Sequence, residues 1–230
     1  MDIKAVSFDI GQTLVKYNSP LNWESLYEPA LSRVFAALKI PYTQDAAAQA
    51  ARVLTKYNTR KNPREYEVSS ETIFKEIFDV WHEPYDKLAA AKEAFYSFFQ
   101  SDAVCYDDAE QVLQFLKSKR IKIGASTDIA YGMDNALALS DIAPIREYFD
   151  LVLTSNDIGY RKPNAAGYIK LMETFDVSPF QMMYVGDEEK DIFGANSLGI
   201  ISVLVNRTDI PTDFGQKFTV ANLSDICKLL

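Results

Sequence analysis

Lys4-Ala5-Val6-Ser7-Phe8-Asp9-Ile10-Gly11-Gln12-Thr13-Leu14 is a short apolar run, largely β-branched or aromatic, that ends abruptly in a carboxylate. A run that is apolar throughout, rather than alternating, suits a strand covered on both faces, as in a parallel sheet. Asp9 then falls where the strand gives out, and open α/β sheets bind ligands beyond the carboxyl ends of their strands. An isolated Asp in this position is more often a cap or turn residue, so its meaning depends on the rest of the chain.

For about eighty residues after Leu14 the spacing is helical. Leu26, Ala30, Val34 and Ala37 mark a helix from Trp23 to Lys39, and Thr43 caps an Ala-rich helix to Tyr57. A charged loop runs from Asn58 to Pro63. Ser70 is the expected cap of a helix from Glu71 to Trp81, and Pro84 opens one through Phe95, Phe98 and Phe99. Trp23, Trp81 and these phenylalanines read as the core of this antiparallel helical unit.

Strand and helix alternate beyond residue 104. Strands are expected at Ile121–Ser126, Leu151–Thr154, Met182–Val185, Ile201–Val205 and Phe218–Val220. Helices are expected from Asp107 to Arg120, in short pieces from Asp134 to Phe149, and at Asn164–Phe175, Lys190–Leu198 and Leu223–Leu230. The fold class is therefore α/β, a Rossmannoid parallel sheet with helices on both faces. A helical bundle, 16–99, is inserted into a core made of 1–15 and 100–230.

Composition narrows the function. The 230 residues are 48% hydrophobic and 24% charged, an ordinary globular balance, and the net charge is −8. That charge argues against a general nucleic-acid or anionic-membrane surface. No apolar run approaches the roughly 20 residues that span a bilayer. The N-terminus opens into a strand without a basic and apolar signal segment, so a cytoplasmic setting is expected. Cys105 and Cys227 form neither a disulfide framework nor a metal motif. His82 is the only histidine, which disfavours Ser-His-Asp, Cys-His and multi-histidine metal chemistry. The pattern assigns no oligomeric state.

Polar residues recur just after the expected strands. Asp9 follows the first and Thr127-Asp128 the next; Arg161-Lys162-Pro163 and Gly186-Asp187-Glu188-Glu189-Lys190-Asp191 follow two more. Ends of parallel strands share one edge, so these groups converge. Two carboxylates about 4 Å apart repel by roughly 4 kcal/mol near a protein surface. One lysine does not neutralise Asp9, Asp187 and Asp191 together. A hard divalent cation fits the deficit, and Mg²⁺ takes one or two carboxylates plus water and phosphate oxygens.

In this ordered set the chain resembles the haloacid dehalogenase (HAD)-like hydrolase superfamily. Its first motif, D-x-D-G-T-L, is matched by Asp9-Ile10-Gly11-Gln12-Thr13-Leu14, and its second by Thr127-Asp128. Lys162-Pro163 matches the third, and Gly186, Asp187 and Asp191 match the fourth, G-D-x-x-x-D. The helical insertion looks like the C1-type cap of subfamily I. The resemblance implies a phosphatase of a small phosphorylated or otherwise anionic metabolite, with Mg²⁺ as cofactor. Asp9 would be the nucleophile, forming an aspartyl-phosphate, while Thr127 and Lys162 hold the phosphoryl oxygens. Gly11, Gln12, Thr127, Asp128 and Lys162 would meet the substrate. Asp9, the Gly11 carbonyl and Asp187 would bind the metal, with Asp191 in or near its outer shell.

The chain departs from the pattern at Gly11, where the family carries an acid/base Asp, and at Gln12, where it carries Gly. Losing a general acid/base typically lowers rates by about 10²–10⁴-fold. Three activities follow: a slow phosphatase or one that favours good leaving groups such as acyl or aryl phosphates, a C–P or C–halogen hydrolase, or a weakly catalytic phosphate-binding or regulatory protein. The C–P reading needs a Schiff-base lysine, for which Lys56 and Lys61 are available. Asp128, where Asn is usual, is a displaced acid/base or, by expectation, a turn residue. Arg52, Lys56 and Arg60, four residues apart, are expected to form a solvated face. Lys16 and Tyr17 lie in the expected hinge to the cap.

Overall fold

The computed structural model describes residues 2–100, 102–208 and 210–230. Its chain divides into two units. One comprises 1–16, 104–128 and 141–230, the other 17–103 and 129–140.

In chain order the elements are β1 (Ala5–Phe8), β2 (Val15–Tyr17), α1 (Tyr27–Leu38), α2 (Gln44–Tyr57), α3 (Ser70–Trp81), α4 (Leu88–Gln100) and β3 (Ala103–Cys105). Then follow α5 (Asp107–Ser118), β4 (Lys122–Thr127), α6 (Asn135–Ala138), β5 (Leu151–Thr154), α7 (Ser155–Ile158) and α8 (Ala166–Phe175). The last are β6 (Met182–Gly186), α9 (Glu189–Ser197), β7 (Ile201–Val205) and β8 (Phe218–Val220).

Among the described residues the first unit holds a six-stranded sheet in the order β5-β4-β1-β6-β7-β8, every pairing parallel. Every residue of β1 and of β6 is buried, which is why both runs are apolar without alternation. The chain leaves β1 for β4 and β5 on one side and returns to β6 on the other. That reversal makes the end of β1 a topological switch point, where open sheets form a crevice. Phe8 pairs with Ala125 on one flank and Val185 on the other, so Asp9 stands one residue beyond the paired register. Gly124 in β4 is required by packing: a Cβ there would press on Ser7, Leu171 and Phe175.

The second unit is helical. α1 packs on α4 and α2 on α3, around a core that includes Leu31, Phe74, Phe78, Phe95 and Tyr96. The stretch 129–140 belongs to this unit because Ile129, Tyr131 and Met133 are buried in the same cluster. Trp23, expected above in the core, is 48% exposed; it is the extended residue before a single 3-10 turn, Glu24–Leu26, that leads into α1. The cap of α3 is Ser69 rather than Ser70. Ser69 is extended and accepts from Thr72 N–H, whereas Ser70 is already helical and buried. The expected C-terminal helix is a 3-10 segment, Leu223–Lys228. β2 and β3, three residues each, form a small two-stranded sheet that no periodicity announced. No described helix is long and apolar enough to cross a membrane.

Candidate active site

All the residues singled out at strand ends lie in the α/β unit. Asp9 follows β1, Thr127 closes β4 with Asp128 after it, and Asp187 follows β6. Lys162 lies in the loop after α7, and Asp191 lies in the first turn of α9. Gly11 and Gln12 form the turn after Asp9, closed by Gln12 N–H donating to Val15 carbonyl at 2.6 Å.

Lys162 is the hub. Its Nζ donates to Asp9 Oδ1 at 2.5 Å and to Asp191 Oδ1 at 2.6 Å, and lies 3.4 Å from Tyr184 Oη. Asp9, Lys162 and Asp191 are all buried. Asp191 is held from its own helix end, its Oδ2 accepting from Glu188 N–H at 3.0 Å. Gly186 permits this approach, since a Cβ there would overlap the Asp191 side chain. Thr13 Oγ1 donates to Asp187 Oδ1 at 3.1 Å and so ties the turn after β1 to the end of β6. Tyr184 donates to the Ser126 carbonyl at 2.9 Å.

Asp128 behaves as a structural anion. Its Oδ1 accepts from Lys162 N–H at 3.0 Å, and its Oδ2 lies 3.1 Å from Lys190 and 3.9 Å from Arg161. Burial alone would raise its pKa, but Lys190, Lys162 and Arg161 outweigh that and hold it below the usual carboxylate range. A carboxyl kept ionised is a poor proton donor, which favours the turn role over the acid/base role.

Electrostatics marks the remaining acids. Burial pushes Asp9 up to about 7, Lys162 pulling it down and Asp191 pushing it further up. Asp187 is pushed up to about 8 by burial, then by Asp9, Asp191 and Glu188. Burial works against the Lys162 ammonium, yet Asp191 and Asp9 hold its pKa well above the ordinary lysine value. Oxygen atoms of Asp9, Asp187 and Asp191 lie within 4.8 Å of one another. Three hard oxygen donors around one ammonium leave a negative excess, so the donor set fits Mg²⁺.

A family model of haloacid dehalogenase-like hydrolases matches residues 3–199. The chain belongs to that family. This HAD-like hydrolase is 28% identical over 209 residues to a glyceraldehyde 3-phosphate phosphatase of Methanopyrus kandleri, covering 89% of this chain and 84% of that one. Among solved structures, a HAD phosphatase from Thermococcus onnurineus superposes with TM-score 0.68 at 21% identity, covering 99% of this chain and 97% of the other. A 2-haloacid dehalogenase from Pseudomonas syringae gives 0.70 at 20%, with the same coverages. These two structural likenesses carry the fold alone.

Several participants escaped the sequence reading. Thr13 holds Asp187, Lys190 sits among acids as the partner of Asp128, and Tyr184 is hidden in an apolar strand. The cap lysines gain no support as reactive groups. Arg52, Lys56 and Arg60 are exposed, and Lys56 donates to both Glu76 oxygens at 2.8 and 2.9 Å. Lys61 pairs with Glu24 at 2.7 Å.

Proposed function

We propose that this HAD-like hydrolase is a Mg²⁺-dependent phosphatase of small phosphorylated metabolites, working through an aspartyl-phosphate on Asp9. The observation that carries the reading is the buried Asp9–Lys162–Asp191 contact beside Asp187, at the switch point of a parallel sheet. Asp9 presents a carboxylate oxygen to phosphorus. Lys162 orients that carboxylate and offsets the phosphoryl charge, and Thr127, at the neighbouring strand end, contributes a hydroxyl to the phosphoryl oxygens. Asp191 fixes Lys162 from behind, and Thr13 fixes Asp187. Asp9, Asp187 and the Gly11 carbonyl would hold Mg²⁺, with Asp191 beside them. An ion held there would supply positive charge that offsets the phosphoryl oxygens.

The relative from Methanopyrus kandleri, named as a phosphatase of a phosphorylated three-carbon sugar, supports the substrate class. The acidic triad supports this reading over the C–halogen one, since halide displacement from carbon calls for no divalent cation. The C–P reading needs a neutral lysine amine. Hydrogen bonding to Glu76 instead raises Lys56, keeping it protonated.

The deciding experiment is hydrolysis of p-nitrophenyl phosphate and acetyl phosphate with Mg²⁺ and with EDTA. Turnover that needs the ion and disappears in Asp9→Asn is expected. Phosphate esters left intact while a halide or phosphonate is cleaved would overturn the assignment.

A further inference from the structure

Lys162 lies in the loop between α7 and α8, outside any strand or helix that would take up its main-chain N–H. That N–H donates instead to Asp128 Oδ1 at 3.0 Å, and a buried main-chain donor needs such a partner. The lysine side chain is a flexible four-carbon stem, so its ammonium has to be held in place before it can serve a reaction. Asp191 holds it at 2.6 Å. Lys162 is therefore fixed at two points, the head by Asp191 and the main chain by Asp128.

Both points trace to the first turn of α9. Asp191 is the third residue of that helix, and Lys190, the residue before it, lies 3.1 Å from Asp128 Oδ2. Glu188, which precedes the helix, lies 2.7 Å from Lys190 and donates its N–H to Asp191 Oδ2 at 3.0 Å. Adjacent residues of one turn thus grip Lys162 at opposite ends, one directly and one through Asp128. Asp128 suits that position. Its side chain is 7% exposed, and an ionised carboxylate is a stronger acceptor for an N–H than a neutral group. Against burial, Lys190 leads the cations that keep it ionised, ahead of Lys162 and Arg161. Arg161 approaches the same oxygen only to 3.9 Å.

We propose that Lys190 is a positioning residue: acting through Asp128, it sets the main chain of Lys162 so that the ammonium meets Asp9 and the phosphoryl oxygens together. This rests on the phosphatase reading of Asp9. In this role Lys190 contacts no reacting atom. Its removal leaves Asp9, Asp187 and Asp191 in place but loosens the loop that carries Lys162. A displaced ammonium stabilises the charge developing on the phosphoryl oxygens less well, so kcat suffers more than KM. The pairing also accounts for the carboxylate at position 128. Asn there would still accept from Lys162 N–H, but would not answer the charge of Lys190.

The test uses the Mg²⁺-loaded full chain with p-nitrophenyl phosphate, and kcat is taken per folded molecule. Lys190→Gln should lower kcat by about 10-fold or more, with KM changed less and Mg²⁺ affinity not weakened. Lys190→Met, which keeps the stem and drops the charge, repeats the measurement should the Gln variant not fold. Asp128→Asn should show the same pattern. Adding Lys190→Gln to Asp128→Asn should cause no further loss, because the hold on Lys162 runs through that carboxylate. A wild-type kcat in Lys190→Gln, or a loss confined to Tm, overturns the inference. So does a further loss in the double variant equal to that of Lys190→Gln alone, which would put Lys190 on the substrate. In each of these outcomes the Asp9 reading stands. Failure to turn over any phosphate, or full activity in Asp9→Asn, overturns both.

Discussion

The helical unit fills its interior with rings: Phe74, Phe78, Phe95 and Tyr96 are wholly buried, and Phe95 meets Phe74 and Tyr96 edge-on at 5.4 and 5.3 Å. The α/β unit also has an apolar sheet, but at its strand ends it buries Asp9, Arg161, Lys162 and Asp191. Rings in contact stabilise a fold directly. Buried charges do so poorly, because desolvation offsets much of their mutual attraction. The second arrangement therefore agrees with the catalytic role proposed for that edge rather than a stabilising one, and substitutions in the two units should separate activity from stability.

The largest effect is expected at Asp9. Asp9→Asn should reduce kcat by about 10³-fold or more, as losing a nucleophile does, without lowering Tm, because it removes a charge from a crowded acidic cluster. A variant that unfolds, or one that retains turnover, would break the contrast. The counterpart in the helical unit is Phe95→Ala. Its cavity should cost about 3–5 kcal/mol in stability, read by urea unfolding, and leave the affinity of the remaining folded protein for Mg²⁺ unchanged.

How far these features could be read from sequence differs between the units. Asp9, Asp187 and Lys162 were visible because parallel strands deliver their ends to one edge, so strand order alone brings distant residues together. Asp191 was visible from its spacing four residues after Asp187, and Gly186 must be small because a Cβ there would overlap the Asp191 side chain. The contacts among Gln12, Tyr106, Arg207 and Thr13 were not, since they join the turn after β1 to the start of α5 and the end of β7 by side-chain geometry. In the helical unit, periodicity identified the helices and most of the core. It misplaced Trp23 because apolar character says nothing of direction at a helix entry. It also missed the inclusion of 129–140, which follows from where Tyr131 packs rather than from its neighbours in sequence.

The next effect is a pH dependence confined to the α/β unit. Asp9 and Asp187 titrate near 7 and 8 in the folded protein, above the ordinary value of 3.8. The native state therefore holds these protons more tightly than the unfolded chain. The associated stability is present at low pH and is lost as pH rises through 7 and 8. With EDTA, Tm should fall from pH 6 to pH 9. Mg²⁺ binds the ionised carboxylates, so the rise in Tm that it produces should grow over the same interval, reaching about 2.7 kcal/mol of stabilisation at a hundredfold excess over Kd. Asp187→Asn should flatten both trends. A Mg²⁺ effect that shrinks with rising pH would mean that the cation binds elsewhere.

The smallest effect tests the entry to α3, where two adjacent serines have different work. Ser69 Oγ accepts from Thr72 N–H at 3.2 Å and satisfies one of the donors that a helix start leaves open. Ser69→Ala should cost about 1 kcal/mol, the usual value of a lost cap. Ser70 Oγ donates to Asp134 Oδ1 at 3.0 Å, but Asp134 is exposed and also pairs with Lys92 at 3.1 Å. Water and that lysine compensate the carboxylate, so Ser70→Ala should cost less than Ser69→Ala. The reverse order in thermal unfolding would return the cap to Ser70. Neither variant should alter Mg²⁺ affinity, because both act on the packing of the helical unit and neither touches the charged edge of the sheet.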